Sequence, residues 1–251
     1  MAADPPIIET GVSFQFDPLN WLTALDLAGL YQRFSGRFAA MQHAPYLPAM
    51  SASPGEIVFS AQHSLLPRTW LVTSDLHYVF QVQADRVSLS WRRISSEGPA
   101  KYPGFDEIAS KFRDCFAIFE EWAKDHGTIL ALNTGELFRQ NAIPLIAEDG
   151  SQIRLSTVFA VFNRSRATPF INFSMNWAEA LADQNGFISM EAGAANLSDG
   201  RPAVMVNLSG RRTVAGLSFE DAMASIETVR PHMDDMFREV ISEAFQGPKS
   251  S

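Results

Sequence analysis

Two long amphipathic helices constrain the fold of this chain more than any other feature of its sequence. Apolar side chains recur every three or four residues between 105 and 126, and again between 218 and 246. This spacing places each set on one stripe of a helix, and such a stripe must be covered by another part of the protein. Ser218 and Asp221 begin the second helix with a capping box. Pro231 is expected to kink or divide that helix, because proline lacks the backbone N–H.

Each helix is preceded by short segments that have the composition of β-strands. The segments alternate between apolar and polar residues, or are rich in Val and Phe, and turn residues separate them. They lie at 7–16, 56–61, 69–73, 78–83, 87–91, 136–141, 156–163, 170–176, 186–192 and 203–208. The segments 78–83 and 87–91 are expected to pair as an antiparallel hairpin through a turn near Asp85.

The repeated order of strands followed by one long helix predicts an α+β fold with an antiparallel sheet in two pseudo-repeated halves. Residues 1–127 form the N-terminal half and residues 128–251 the C-terminal half, each closed by its long helix, and together they are expected to form one compact unit. Both helices are expected to cover the same side of the sheet. A TBP-like or helix-grip-like arrangement satisfies this order. The similar tetrapeptides at 111–114 (Lys-Phe-Arg-Asp) and 236–239 (Met-Phe-Arg-Glu) agree with a repeat.

Composition and charge narrow the classes of partner. The chain carries 20 basic and 28 acidic residues, a formal net charge of −8. A protein whose main ligand is nucleic acid usually has a basic domain or stripe, so nucleic acid is disfavoured. No apolar segment has the length of a membrane span, and the N-terminus does not have the pattern of a secretory signal. We therefore expect a cytoplasmic protein without a membrane partner.

Two arginine pairs form the one basic pattern in the sequence. They stand at Arg92-Arg93 and at Arg211-Arg212, and Arg164 and Arg166 lie close together with one residue between them. If these side chains converged, they would form a local anion site. The simpler interpretation is that they are solubilising charges at the ends of strands.

The residues with catalytic or metal-binding chemistry are scattered. The five histidines lie far apart, and none has a second ligand at metal spacing on a helix face. The sequence contains no phosphate-binding loop, nucleophile elbow or zinc-protease motif. The single cysteine, Cys115, lies on the apolar stripe of the first helix and is interpreted as a small core residue. We therefore expect no metal and no cofactor, and an enzyme is the less favoured interpretation.

One stretch resembles a known family. It contains Gln81-x-Gln83, then Asp85-Arg86, Trp91-Arg92 and Tyr102-Pro103. This pattern resembles a sporadically distributed family of uncharacterised bacterial proteins of similar length, over about residues 70–145. Ser90 stands where that family usually has Asn. The resemblance implies no particular chemistry, but a patchy distribution suggests genes that travel with mobile elements, as antitoxin, immunity or defence genes do.

Two functional hypotheses follow. The preferred one is a non-catalytic accessory protein of a mobile or defence-type system that binds another protein; its oligomeric state stays open. The alternative is a small-molecule binder or enzyme that uses a cavity between the helices and the sheet. Trp, Tyr and Arg dominate the energetics of interfaces. The candidate residues for binding a partner or ligand are Gln81, Gln83, Arg86, Trp91, Arg92 and Tyr102.

Overall fold

A computed structural model describes residues 6–53, 66–94, 101–147, 149–159, 173–197, 199–214, 216 and 218–245. Within these residues the protein is α+β, with one open antiparallel sheet of nine strands and four α-helices. The strands are β1 (Ile7–Phe16), β2 (Ala40–Ala44), β3 (Arg68–Val72), β4 (Tyr78–Gln83), β5 (Arg86–Arg92), β6 (Leu132–Pro144), β7 (Ser174–Ala180), β8 (Gly186–Asn196) and β9 (Pro202–Thr213). The helices are α1 (Ala24–Arg33), α2 (Phe105–Asp125), α3 (Leu155–Val158) and α4 (Phe219–Val240), followed by a 3-10 turn at Glu243–Phe245.

The order of strands in the sheet is β2-β3-β4-β5-β1-β6-β9-β8-β7. The first strand of each half, β1 or β6, therefore lies at the centre, and the later strands of each half extend outward from it. All neighbouring strands pair antiparallel. This arrangement brings residues that are far apart in sequence onto one surface at the middle of the sheet.

The helices α2 and α4 pack on the same face of this sheet. Phe14 of β1 is fully buried, and its ring lies 5.0 Å from that of Phe112 in α2 and 5.5 Å from that of Phe219 in α4 (centroid distances). Farther along α4, a Cβ atom at Gly210 of β9 would collide with the side chains of Val229 and Met233. One face of the sheet is thus the floor of an aromatic core, and the expectation that both helices lie on one side is confirmed.

Several sequence predictions are confirmed at the level of elements. The strand predicted at 7–16 has the bounds of β1, and the first long helix begins at Phe105 as predicted. Tyr78 to Gln83 pairs with Arg86 to Arg92 as an antiparallel hairpin, with Ala84 and Asp85 at the turn. The strands predicted at 136–141, 186–192 and 203–208 are longer in the structure than the sequence indicated.

Other predictions need correction. The segment 156–163 begins as the short helix α3 and not as a strand, because Leu155 and Val158, three residues apart, turn together into the core. Of the two outcomes expected at Pro231, division of the helix is wrong, because α4 is one continuous helix. Pro231 and Glu227, four residues before it, are both exposed, so water can satisfy the carbonyl that loses its partner.

The similar tetrapeptides do not occupy equivalent positions. The one at 111–114 lies in the first half of α2, whereas the one at 236–239 lies in the last turn of α4. They therefore give no support to a repeat. The predicted strand at 56–61 lies outside the described residues, as do the first three residues of the segment 170–176.

Cys115 is a buried residue of α2, 5% exposed, and burial raises the pKa of its thiol to about 12. Only the thiolate reacts with alkylating reagents, and an ordinary thiol has a pKa of about 8.5. We therefore expect iodoacetamide to modify the native protein at least about a thousandfold more slowly than the urea-unfolded chain at pH 8. Intact-mass spectrometry over time measures both rates, and similar rates would contradict the burial of this thiol.

Candidate functional site

The face of the sheet opposite α2 and α4 is here called the open face. Because side chains alternate along a strand, Glu9, Ser13 and Gln15 of β1 point to it while Val12 and Phe14 point to the helices. Strand register aligns these open-face side chains into two rows across the sheet. The first row contains Trp70, Gln81, Ser88, Ser13, Glu136 and Arg211. The second row contains Arg92, Glu9, Gln140, Asn207 and Glu191.

These rows form the floor of a cavity of about 580 Å³, here called the open-face pocket. Seven neighbouring strands of the sheet contribute residues to the lining, namely β3, β4, β5, β1, β6, β9 and β8. Pockets of about 300–1,000 Å³ are typical of sites for small ligands. The pocket has five arginines and three glutamates in its lining, namely Arg68, Arg86, Arg92, Arg139, Arg211, Glu9, Glu136 and Glu191.

One wall of the pocket is the loop segment 47–50, which two glutamine side chains hold by their amides. Gln83 accepts a hydrogen bond from the Leu47 N–H at 3.2 Å and donates one to the Leu47 carbonyl at 3.1 Å. Gln15 makes the same pair of bonds with the N–H and carbonyl of Met50. Each side-chain amide bonds to both the N–H and the carbonyl of one loop residue, as the backbone of a neighbouring strand would. The loop is therefore fixed to the sheet although it is not a strand.

Ion pairs fix some of the charged side chains of the pocket. Arg92 Nε lies 3.0 Å from a carboxylate oxygen of Glu9, and Arg211 Nε lies 2.7 Å from one of Glu136. Ser209 also donates a hydrogen bond to Glu136, at 2.6 Å. Burial raises the pKa of Glu136, but Arg211, Arg86 and the Ser209 hydroxyl outweigh it, so the pKa is lower than the ordinary value. Glu136 is therefore an ionised carboxylate in the floor of the pocket.

Arg139 is directed away from this group. Although it contributes to the lining, its guanidinium binds Asp234 of α4 at 2.7 Å, on the helix side of the sheet. It is thus neutralised by a carboxylate that does not belong to the pocket.

The β3 end of the pocket holds a cluster of cations around an indole ring. The guanidinium carbon of Arg92 lies 4.5 Å from the centroid of Trp70, and that of Arg68 lies 5.2 Å from it. These are cation–π distances. Burial and the nearby charges of Arg86 and Arg92 lower the pKa of Arg68, against the opposite effect of Glu9. The arginines at this end therefore repel one another.

Five buried polar atoms of pocket-lining residues have no hydrogen-bond partner within the described residues. They are the Nε atoms of Arg68, Arg86 and Arg139, the indole Nε1 of Trp70 and the side-chain oxygen of Gln81. Arg86 and Gln81 are only 7% and 6% exposed. Arg86 uses one terminal nitrogen to donate to the Pro48 carbonyl at 2.5 Å, which leaves its Nε–H free. Apart from Arg139, whose guanidinium is directed toward Asp234, three donors and one acceptor thus meet in one part of the pocket.

The structure brings together only some of the residues predicted from sequence. Gln81, Arg86 and Arg92 line the pocket, and Gln83 holds its wall. Trp91 lies on the other face, 2% exposed, with its ring 5.7 Å from that of Tyr102 in an edge-on contact. These two aromatic residues belong to the helix side of the sheet and do not share a surface with the glutamines.

The arginine pairs predicted from the sequence are likewise divided between the two faces of the sheet. Arg92 and Arg211 both reach the pocket, as the anion-site interpretation required. Arg212, on the opposite face from Arg211, binds Asp183. The residues 164 and 166 lie outside the described part of the chain. Sequence reasoning did not find Arg68, Trp70, Glu9 or Glu136, although the alternation of β1 and β3 is a signal that could have identified the face on which three of them lie.

Comparisons with known proteins identify no relative. A scan against protein-family models finds no matching family, and a search of curated proteins finds no match.

In the part of the chain that the structure describes, no three His, Cys, Asp or Glu residues are grouped as a metal site would require. Among the same residues, no helix has both the length and the apolar character needed to cross a membrane.

Proposed function

We propose that this protein is a non-catalytic binding protein and that its ligand occupies the open-face pocket. The observation that carries the proposal is the set of four unpartnered polar atoms of Arg68, Trp70, Gln81 and Arg86. A buried polar atom without a partner costs about 1–3 kcal/mol, and native proteins contain few of them. Four in one cavity are explained if a ligand supplies the missing partners.

The chemistry of the lining favours binding over catalysis. A general base needs a carboxylate or imidazole that is free to accept a proton. Glu9 and Glu136 are both held by arginines, and the third carboxylate, Glu191, is exposed on β8 at the far end of the pocket. The rest of the lining presents guanidinium, indole, amide and hydroxyl groups, which recognise polar ligands but transfer protons poorly at neutral pH.

A partner protein is the second candidate, in line with the resemblance to a family of uncharacterised bacterial proteins whose patchy distribution suggests defence or immunity accessories. The observation that favours it is the composition of the β3 end, where the guanidinium groups of Arg68 and Arg92 both lie at cation–π distance from Trp70. Trp and Arg are the commonest residues at energetic hot spots. The candidate that places a cavity between helices and sheet has less support, because rings such as Phe14, Phe112 and Phe219 pack there.

We also propose that the fold is a pseudo-repeat of two halves. Each half has the order strand, helix, three strands and long helix, with β2 as an addition in the first half. The strand order is also symmetric about the β1–β6 pair, apart from the extra edge strand β2. This symmetry supports a TBP-like doubled architecture in which the ligand lies across the junction of the halves.

Native mass spectrometry of the protein purified from its own host tests the proposal. Ser88 lies in the middle of the first row of the pocket floor, so Ser88→Phe fills the pocket. Ser110→Phe is the matched control, because Ser110 is exposed on α2. We expect an added mass on the wild-type protein and on Ser110→Phe that is absent from folded Ser88→Phe.

The size of the added mass distinguishes the two candidates. A small molecule supports the first, and a second polypeptide that Ser88→Phe loses supports the partner protein. A bare protein mass in all three chains, or an added mass that Ser88→Phe retains, would overturn the proposed site.

A further inference from the structure

We propose that the open-face pocket binds a phosphate monoester, with its phosphoryl group between Arg68 and Arg86. This inference rests on the proposed function and names the chemical class of its ligand. Neither Arg68 nor Arg86 forms a salt bridge with any residue that the structure describes, unlike the other three arginines of the pocket. Both carry an Nε–H without an acceptor.

The charges of the pocket call for an anion. With Arg139 neutralised by Asp234, four arginines remain against three glutamates in the pocket of a chain whose formal net charge is −8. Glu191, the one pocket carboxylate without an arginine in the described residues, lies on β8. It is four strands from Arg86, or roughly 19 Å at the usual strand spacing. It therefore cannot neutralise the arginines at the β3 end.

The hydrogen-bond donors fit a phosphoryl group better than a carboxylate. A phosphate monoester carries a charge of about −1.5 to −2 at pH 7, which matches the two arginines that form no salt bridge with the described residues, whereas a carboxylate carries a single negative charge. Its three terminal oxygens can accept from Arg68 Nε, Arg86 Nε and Trp70 Nε1, the three unpartnered donors that remain when Arg139, directed toward Asp234, is set aside. The rigid guanidinium fork also suits the geometry of phosphate oxygens.

The side-chain oxygen of Gln81, a hydrogen-bond acceptor, indicates which other group the ligand carries besides the phosphoryl group. The unpartnered oxygen of Gln81 needs a donor, which a phosphate dianion does not have. Gln81 is the cross-strand neighbour of Trp70 on one side and of Ser88 on the other. A hydroxyl group close to the phosphate would satisfy Gln81, so the ligand class is a phosphate ester of a hydroxylated small molecule.

Isothermal titration calorimetry of the full chain tests this assignment with ribose 5-phosphate, inorganic phosphate, ribose and gluconate as probes. We expect ribose 5-phosphate to bind at least about tenfold more tightly than gluconate or ribose, with inorganic phosphate between them. Arg68→Gln should weaken the binding of ribose 5-phosphate by about tenfold to a hundredfold, as the loss of a charged hydrogen bond does. Arg33→Gln, on α1 and paired with Asp125 far from the pocket, should leave it unchanged.

Arg86→Lys gives a second variant at the same phosphoryl position. It should weaken binding by a similar factor if it folds, and Arg68→Gln keeps the test decisive if it does not, because Arg68 is only half-buried. Equal affinities for gluconate and ribose 5-phosphate, or an unchanged affinity in Arg68→Gln, would overturn the phosphoryl assignment. If Ser88→Phe meanwhile lost an added mass that contains no phosphorus, the binding function would stand and the ligand class alone would fail.

Discussion

Replacing Phe14 by alanine is expected to lower the free energy of unfolding by about 3–5 kcal/mol. Phe14 is fully buried in the central strand β1, and its ring contacts Phe112 and Phe116 of α2 and Phe219 of α4. Removal of the ring leaves a cavity between the sheet and both long helices. These helices belong to different halves of the chain, so the cavity affects the packing of both halves. The loss is large against the roughly 5–15 kcal/mol that stabilises a typical domain.

Urea unfolding followed by far-ultraviolet circular dichroism measures this effect. Leu25→Ala is the control, because Leu25 is 84% exposed on α1 and its truncation should change stability by less than about 0.5 kcal/mol. A double-mutant cycle between Phe14 and Phe219 should show a coupling of about 0.5–1.5 kcal/mol, as expected for an aromatic pair. A loss below about 1 kcal/mol for Phe14→Ala would contradict the shared aromatic core.

The parts of the fold that depend on local pattern could be predicted from the sequence. Alternation in β1 determines which face of the sheet each of its side chains takes. The turn residues Ala84 and Asp85 determine where the chain reverses between β4 and β5. The apolar stripe of α2 likewise fixes which side of that helix is buried. These signals need only neighbours within a few residues along the chain.

The candidate site could be predicted only in part, because it depends on pairing between distant strands. Glu136 lies beside Ser13 and Arg211, its neighbours on β1 and β9, and no local pattern specifies that order of strands. Alternation alone does, however, separate Trp91 from Arg92, since adjacent residues of a strand point to opposite faces. Grouping them on one predicted surface neglected that rule.

The burial of Glu136 leads to the second large expected effect. Glu136→Gln keeps the shape of the side chain but removes its charge, which leaves Arg211 and Arg86 without the carboxylate that faces them. Breaking a buried ion pair from one side typically costs about 3–5 kcal/mol. We expect a loss near the lower limit, about 3 kcal/mol at pH 7, because the amide oxygen can still accept from Arg211 or Ser209.

The pH dependence of this difference provides the sharper test. The pKa of Glu136 is lower in the folded protein than its ordinary value, which is about 4.3 in an unfolded chain. The stabilisation is therefore fully present above pH 4.3 and is lost as the pH falls through the lower, folded-state pKa. Urea unfolding at pH 7, 5, 4 and 3 should show a constant gap between wild type and Glu136→Gln down to about pH 5, and a narrowing gap below it.

Glu191→Gln is the matched control for this experiment. Glu191 lines the same pocket but is exposed, and it makes no ion pair with the residues that the structure describes. Its substitution should change stability by less than about 0.5 kcal/mol at every pH. If Glu191→Gln and Glu136→Gln had equal effects, or if the Glu136→Gln gap stayed constant down to pH 3, the carboxylate of Glu136 would not be the charge that holds Arg211 in the floor of the pocket.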